Sequence, residues 1–325
     1  AEREITVCEY AADGVQAVKR VADSGAKVCI LDIEMPNMSG LEALPRLLAA
    51  KPGLKVIMAS TLTERGAAVT LRALQLGAVD YLPKPTAGRL GAAEDYRREL
   101  LAKIRQFAPR APQPPSTRLA QTMPPSAPGS QFAEAFVVAS STGGPQALGD
   151  LMEGLGGDWM APVLIAQHMP AQFTRTLAEM LGRRTPLRVK EAADGEPIVA
   201  RTIYVAPGGY HLTVRRSAGG APIARLDQGP EVNFCRPSAD PLFTSAAEIW
   251  GDRLLAAVLT GMGHDGRDGA EAVRRGGGQV LAQDEATSVV WGMPGAVVAA
   301  GAADQILPLN GIGPAAIKLA RVRVA

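Results

Sequence analysis

The stretch Phe136-Val137-Val138-Ala139-Ser140-Ser141-Thr142-Gly143-Gly144-Pro145 decides the fold of this 325-residue protein. Its apolar, β-branched start predicts a buried parallel strand that turns sharply into a helix beginning near Pro145. Ser141 then lies at the carboxyl end of the strand, which is the edge where open α/β sheets bind ligands. The unpaired N–H groups of the new helix favour negative charge there. The stretch predicts either a phosphate-binding loop or a serine nucleophile beside an oxyanion hole around Thr142 and Gly143.

The turn itself does not separate these alternatives. Ser-Thr-Gly-Gly matches neither G-x-G-x-x-G nor G-x-S-x-G, so a tight turn without any ligand is a third interpretation. What decides is whether the chain can bring a base and an orienting carboxylate to Ser141, because a serine hydroxyl is a poor nucleophile at neutral pH.

Two other predicted strands end in suitable side chains. His168 directly follows the apolar run 161–167, and one strand-helix-strand unit fits the interval back to Ser141. Asp265 follows the apolar run 254–260 and a short glycine-rich turn. Since the carboxyl ends of parallel strands share one rim, we expect Ser141, His168 and Asp265 to meet there as nucleophile, base and orienting carboxylate.

The chain has only three histidines, so only two others are candidates for the catalytic base. His264 neighbours Asp265, and we expect it to be an exposed loop residue. His211 ends no comparable apolar run, which favours a buried structural hydrogen bond over a catalytic role.

Composition excludes several classes of protein. Hydrophobic residues make up 47% of the chain, the net charge is +2 and the three cysteines lack metal-ligand spacing. Since there is no apolar run of about 18 residues and no apolar leader, the sequence predicts a cytoplasmic protein without membrane insertion. No basic face points to nucleic acid.

A proline-rich stretch divides the chain. Seven prolines fall between Pro109 and Pro128, among few residues that could pack. The sequence therefore predicts a first domain over 1–108, a semi-extended linker over 109–130 and a second domain over 131–325. In the second domain, residues 212–226 predict an antiparallel hairpin beside the parallel strands.

The first domain alternates strands and helices in a doubly wound pattern. Short strands are predicted at Ile5–Val7, 28–31 and 55–60, and a last one within the stretch 77–85. Asp32 directly follows the strand at 28–31, Ser60 ends the strand at 55–60, and Lys84 lies at the end of the last strand. An exposed carboxylate, a hydroxyl and a cation at one rim are what an aspartyl phosphate requires.

Five ordered motifs carry a family resemblance in the second domain. They are Ala-Ser-Ser-Thr-Gly-Gly at 139–144, Ala-Gln-His-Met-Pro at 166–170, Ala-Pro-Gly-Gly at 206–209, Leu-Thr-Gly-Met-Gly-His-Asp-Gly at 259–266 and Gln-Asp-Glu-Ala at 283–286. This segment resembles the catalytic domain of the chemotaxis protein-glutamate methylesterases (CheB). The resemblance puts the family's catalytic triad on Ser141, His168 and Asp265, and makes the backbone N–H of Met262 an oxyanion donor. Ser140 is a departure, because the family commonly has alanine there.

The resemblance also implies a reaction and a substrate. It implies hydrolysis of glutamate methyl esters on methyl-accepting chemoreceptors, with deamidation of receptor glutamines as a second activity and no cofactor for catalysis. The fold it implies is a doubly wound, mostly parallel α/β esterase domain. The competing hypothesis is a phosphate- or nucleotide-binding output domain built on the same serine-containing turn.

The first domain resembles a flavodoxin-like two-component receiver domain. By this resemblance Asp32 accepts the phosphoryl group from a chemotaxis histidine kinase and contributes to a Mg²⁺ site, while Ser60 and Lys84 are the switch residues. A receiver normally opens with a strand and an acidic pair that binds Mg²⁺, and neither precedes Ile5 here. We therefore expect an incomplete Mg²⁺ site and inefficient phosphorylation of Asp32.

Overall fold

The protein is described here by a computed structural model over residues 5–85, 92–107 and 133–321. The chain divides into two compact units, one before and one after the point between Gln113 and Pro114. The predicted proline-rich linker, 109–130, lies outside the described residues.

The first unit is a parallel sheet with flanking helices. Its strands pair in the order β1-β2-β3, and all pairs are parallel. The strands are β1 (Val28–Asp32), β2 (Lys55–Ser60) and β3 (Asp80–Pro83). The helices are α1 (Gly14–Val21), α2 (Gly40–Ala50), α3 (Glu64–Gln75) and α4 (Ala92–Gln106). Consecutive parallel strands connected by helices put the three strand ends at one rim.

The predicted strand at Ile5–Val7 is wrong. These residues form no strand, and Thr6 and Val7 are exposed. The apolar, β-branched pattern was the only support for that prediction, and a strand exists only where a neighbour takes its hydrogen bonds. No described strand pairs with this segment.

The second unit contains a seven-stranded sheet in which every pairing is parallel. Its order is β12-β11-β10-β4-β5-β7-β6, and a separate antiparallel hairpin pairs β8 with β9. The parallel strands are β4 (Ala135–Ser140), β5 (Val163–Gln167), β6 (Arg188–Glu191), β7 (Thr202–Val205), β10 (Leu254–Val258), β11 (Gln279–Gln283) and β12 (Gln305–Leu307). The hairpin strands are β8 (His211–Arg216) and β9 (Pro222–Asp227). This confirms the predicted hairpin.

Over residues 133–321 the second unit has six α-helices, five between these strands and one after the last strand. They are α5 (Gly144–Leu155), α6 (Ala171–Gly182), α7 (Ala239–Trp250), α8 (Arg267–Arg275), α9 (Met293–Ala299) and α10 (Leu309–Arg321). The architecture is the doubly wound α/β fold that the alternation of elements predicted.

The first strand of this unit, β4, lies in the middle of the sheet and is fully buried. Every residue of β4 is buried, from Ala135 to Ser140, as are all residues of β5 and β10 on its two sides. Continuous apolar strands of this kind are typical of parallel sheets covered on both faces. Their burial is the main source of stability at the centre of the sheet.

The order of strands reverses at β4. The chain runs from β4 to β5 on one side, and later returns to place β10 on the other side. Such a reversal opens a crevice beyond the carboxyl ends of the strands, which is where doubly wound sheets bind ligands. Among the described residues, no helix is both long and apolar enough to cross a membrane.

Candidate active site

The predicted serine and histidine lie side by side at the reversal point. The register of β4 and β5 pairs Ser140 with Gln167, so Ser141 and His168 are the next positions on neighbouring strands. The N–H of His168 donates to the carbonyl of Ser140 at 3.1 Å. On the opposite side the N–H of Ser141 donates to the carbonyl of Thr260, just beyond β10, at 3.0 Å.

His168 and Asp265 form a direct hydrogen bond. The Nε2 of His168 is 2.7 Å from Oδ2 of Asp265, and both side chains are almost entirely withdrawn from solvent. A carboxylate accepts, so Nε2 carries the proton and the lone pair of neutral His168 is on Nδ1. That Nδ1 is 3.3 Å from the Sγ of Cys235.

Asp265 is held by several donors from the segment before and at the start of α7. The Ser238 hydroxyl donates to Oδ1 at 2.6 Å, the Ala239 N–H donates to Oδ2 at 2.6 Å and the Asn233 amide donates to Oδ1 at 2.9 Å. Burial alone would raise the pKa of Asp265, but the hydrogen bond and charge of His168, with the donors at Ala239 and Ser238, hold it well below its ordinary value.

A second carboxyl group lies behind this pair. Asp240 accepts from the Gly269 N–H at 2.7 Å and from the Asn233 amide at 2.7 Å. Burial and the nearby charge of Asp265 raise the pKa of Asp240 to about 6, against the lowering effect of those two donors. Asn233 therefore bridges two buried carboxyl groups of different acidity.

The electrostatic surroundings of His168 favour its protonated form. Burial lowers the pKa of the imidazole, but the hydrogen bonds and charges of Asp265 and Cys235 outweigh that effect and raise it to about 10. A base of this kind binds a proton tightly and stabilises the imidazolium that forms when a serine is deprotonated.

The hydroxyl of Ser141 is the available one of the two adjacent serines. Ser140 is fully buried and donates to the side-chain oxygen of Gln167 at 2.7 Å. Ser141 is partly exposed, and its Oγ makes no hydrogen bond with any residue that the structure describes. The Ser141–His168 hydrogen bond of a completed triad is therefore not formed here, and Cys235 lies against the nitrogen that would make it. Catalytic hydrogen bonds often tighten only when substrate binds.

Two backbone N–H groups face no acceptor at this rim. Gly143, the residue before α5, has φ 77°, which favours glycine, and its N–H has no acceptor among residues 5–85, 92–107 and 133–321. The same holds for the N–H of Met262. The carbonyl of Thr142 accepts from the Thr260 hydroxyl at 2.9 Å, which fixes the turn between them. The predicted oxyanion residues therefore flank Ser141, two of them with available donors.

Three residues of the site were not predicted as such. The side-chain amide of Gln167 donates to the carbonyls of Ser141 at 3.0 Å and His168 at 3.3 Å. The Sγ of Cys235 contacts His168, and the side-chain amide of Asn233 donates to Asp265. Asn233 and Cys235 lie on an irregular loop whose sequence has no strand periodicity, so neither hydropathy nor strand-end logic could find them. Gln167 ends a predicted strand and belongs to the motif Ala-Gln-His-Met-Pro, but neither pattern indicates its role.

The other two histidines lie outside the catalytic pair. His264 is exposed, as expected. His211 is buried, donating from Nε2 to the Pro230 carbonyl at 3.0 Å and accepting at Nδ1 from the Ser238 N–H at 3.2 Å. His211 is therefore a structural residue that holds the segment carrying Ser238.

The first unit has its own rim of polar side chains. Asp32 and Lys84 form an ion pair of 2.7 Å between Oδ2 and Nζ. Ser60 is the last residue of β2, the strand between β1 and β3. Its side chain is buried and accepts from the Thr70 hydroxyl at 2.6 Å. Asp32 and Lys84 line a cavity of about 550 Å³, which Glu34 also lines.

The donor set at this rim does not fit a divalent metal ion by itself. Among the described residues, no group of three or more histidine, cysteine, aspartate or glutamate side chains is arranged to hold one. Lys84 already occupies one carboxylate oxygen of Asp32. Mg²⁺ prefers several oxygen ligands in octahedral geometry, which Asp32 and Glu34 alone do not supply.

Fold and site together define a class of protein. A doubly wound α/β domain with a strand-end serine beside a buried His–Asp pair is typical of hydrolases that form acyl-enzymes, and here it follows a receiver-like unit. The family model for CheB methylesterase matches residues 136–316, and the model for the response regulator receiver domain matches residues 1–93. The chain belongs to the CheB methylesterase family.

Individual relatives agree with this membership. A "protein-glutamate methylesterase/protein-glutamine glutaminase 2" of Caulobacter vibrioides is 61% identical over 96% of this chain and 91% of its own length. A protein of the same activity name from Maricaulis maris is 46% identical over 98% of this chain and 90% of its own. The crystal structure of the Thermotoga maritima CheB methylesterase catalytic domain matches with a TM-score of 0.56 and 41% identity, over 57% of this chain and 98% of that one.

We predict that Gly261→Ala slows ester hydrolysis by about 10- to 100-fold, because a displacement of the nucleophile by about 1 Å has effects of this size. A Cβ at Gly261 would lie 2.3 Å from Met293 Sδ and 2.8 Å from the Cβ of Ser141, so the serine must shift. The measurement is steady-state hydrolysis of a methyl ester. Gly154→Ala is the matched control, since its Cβ would meet nothing nearer than 3.6 Å. Equal activity of the two variants would contradict the prediction.

We predict a rate that rises with pH through neutrality. Only neutral His168 can take the Ser141 proton, and its pKa is raised to about 10, so kcat/KM should increase from pH ~6 up to about that value. Removing the Cys235 contact takes away a proton-stabilising interaction, so Cys235→Ala should move the rising limb to lower pH. A pH profile of both proteins checks this; an unchanged or upward-shifted limb in Cys235→Ala would refute the role of the contact.

Proposed function

We propose that this chain is a protein-glutamate methylesterase that hydrolyses γ-methyl esters of glutamate side chains by acyl transfer through Ser141. The observation that carries the proposal is the buried His168–Asp265 hydrogen bond of 2.7 Å beside a strand-end serine. Membership of the CheB methylesterase family and the activity printed for the Caulobacter and Maricaulis relatives point to the same reaction.

The hydrogen bonds of His168 determine which of its two ring nitrogens can act as the base for Ser141. Because Nε2 is bound to Asp265, Nδ1 is the nitrogen that must take the Ser141 proton. Cys235 occupies that nitrogen in the structure described here. The reaction therefore requires Ser141 Oγ to replace the Cys235 Sγ as the partner of Nδ1, through rotation of the Ser141 and Cys235 side chains.

The chemistry proceeds in two balanced halves. Ser141 Oγ attacks the ester carbonyl as its proton passes to Nδ1 of His168, and the tetrahedral intermediate collapses when that proton is returned to the departing methoxide, releasing methanol. Water then attacks the acyl-enzyme as it gives a proton to His168, and His168 returns that proton to the departing Ser141 Oγ, leaving glutamate and free Ser141. The N–H groups of Gly143 and Met262 are the proposed donors to the oxyanion in both halves.

The proposed substrate is a methylated chemoreceptor, as the relatives' family implies, and glutamine deamidation is the proposed second activity. The two activities share one mechanism, because a side-chain amide differs from the ester only in its leaving group. The amide nitrogen of the tetrahedral intermediate must then be protonated by His168 so that it leaves as ammonia. An imidazolium stabilised by Asp265 suits that step, since an amide anion is a poorer leaving group than methoxide.

Regulation is proposed to act through the receiver unit. Asp32 would accept a phosphoryl group from a histidine kinase, and the Lys84 ammonium, now 2.7 Å from its carboxylate, would pair with the added negative charge. Ser60 would supply a hydroxyl to the phosphoryl oxygens, which requires it to leave its buried partner Thr70. The described donors at this rim imply weak Mg²⁺ binding and slow phosphorylation.

We predict that Ser141→Ala and His168→Ala each lower methanol release from methylated receptor by at least ~10³-fold, since removing one member of a catalytic triad costs about as much as removing all of it. The measurement is release of labelled methanol at saturating receptor. Ser140→Ala is the matched control, because its hydroxyl is buried against Gln167. Greater loss in Ser140→Ala than in Ser141→Ala would reverse the assignment of the nucleophile.

Because phosphorylation of Asp32 should be slow, we predict that a small acyl phosphate with Mg²⁺ raises the esterase rate of the full chain only after long incubation and leaves that of Asp32→Asn unchanged. The amide cannot form an acyl phosphate, whereas the neighbouring variant Glu34→Gln retains Asp32 and should still respond. Initial rates with and without the phosphodonor are compared. A response of Asp32→Asn as large as that of the wild type would exclude Asp32 as the regulatory site.

A further inference from the structure

One exposed aromatic side chain sits at the mouth of the active site on a turn that disfavours it. Val232 and Cys235 exchange two backbone hydrogen bonds, of 3.2 and 3.0 Å, around Asn233 and Phe234. Both central residues are left-handed, with φ 53° and φ 62°. A two-residue turn of this kind is type I′, for which Asn-Gly is the preferred pair. Phe234 occupies the position that glycine would suit best.

The phenyl ring makes no packing contact that would offset the unfavourable backbone conformation. Phe234 is 97% exposed, so its side chain packs against no part of the unit. A bulky residue in the left-handed region is a true outlier, and a strained residue at the edge of a site is a reason to ask what it contacts during function.

The turn is attached to the catalytic pair on both sides of Phe234. Before it, Asn233 donates to Asp265 at 2.9 Å and to Asp240 at 2.7 Å. After it, the Cys235 thiol is 3.3 Å from His168 Nδ1. These contacts fix the backbone of the turn at the rim, so the phenyl ring projects outward from a rigid support.

Other exposed apolar side chains lie on the segments that build the same rim. Met262, 40% exposed, is on the loop that carries Asp265. Tyr210, 36% exposed, precedes His211, whose imidazole holds the segment of Ser238. Large apolar side chains exposed together beside a site are typical of a contact surface for a macromolecule.

The length of the reacting side chain requires such a contact. From Cα to the ester carbon, a glutamyl ester spans only about 4 Å, since three C–C bonds separate the two atoms. The backbone of a protein substrate must therefore come close to Ser141 and pass over the rim. A small free ester has no backbone and makes no such demand.

We propose that Phe234 is the anchor on which the methylated protein substrate docks, by contact with apolar side chains that flank the esterified glutamate. An aromatic anchor that is buried on docking contributes much of the binding free energy of an interface. This inference rests on the proposed function, because it concerns how that substrate is held.

The test compares Phe234→Gly and Phe234→Asn with the wild type. Both replacements suit a left-handed backbone, so the turn and its contacts with Asp265 and His168 are retained. We expect KM for methylated receptor to rise at least ~10-fold with a much smaller change in kcat, since a contact made equally in ground and transition states affects binding alone. The loss in kcat/KM should exceed any loss measured with a small methyl ester.

Met160→Ala is the matched control. Met160 is 59% exposed and lies just before β5, at the end of the sheet away from Ser141, so its loss should leave KM for the receptor unchanged. Receptor kinetics of Phe234→Gly and Phe234→Asn that match the wild type, or equal losses on receptor and small ester, would overturn the inference. Absence of methanol release by the wild type would instead overturn the proposed function itself.

Discussion

The hydrogen bond between His168 Nε2 and Asp265 Oδ2 is the interaction on which the rest of the site depends. A buried, charged carboxylate is costly unless its oxygens are satisfied, and Asp265 is satisfied by donors from Asn233, Ser238 and Ala239 as well as by His168. Asn233 and Ser238 precede α7, and Ala239 is its first residue. Their hydrogen bonds to one carboxylate therefore fix the positions of both the loop before α7 and the start of the helix. The imidazole in turn has a fixed orientation and a fixed tautomer.

The parallel sheet makes this arrangement possible. Ser141, His168 and Asp265 are far apart in the sequence, but they follow three strands that are neighbours in the order β10-β4-β5. The carboxyl ends of those strands meet at the one point where the strand order reverses, and the buried strands leave little freedom for that rim to move. Rigidity here comes from the core, whereas chemical variety comes from the loops that follow each strand.

The parts of the site that lie at strand ends could be predicted from the sequence, and the parts on loops could not. Apolar runs ending in Ser141 and His168 indicate buried strands, and the length of the connection indicates that they are neighbours. Asn233 and Cys235 reach the site through a left-handed turn with no sequence period, so only the folded chain reveals them. The predicted strand at Ile5–Val7 failed for the opposite reason: the pattern was present, but a strand also requires a partner.

Gln167 has a consequence for the dynamics of the centre. Its buried side-chain amide donates to the carbonyls of both Ser141 and His168, while its oxygen accepts from Ser140. One amide group thus clamps the backbone of the nucleophile to that of the base. Thermal fluctuations of the two residues are then correlated, and the distance between their peptide groups varies less than the displacement of either.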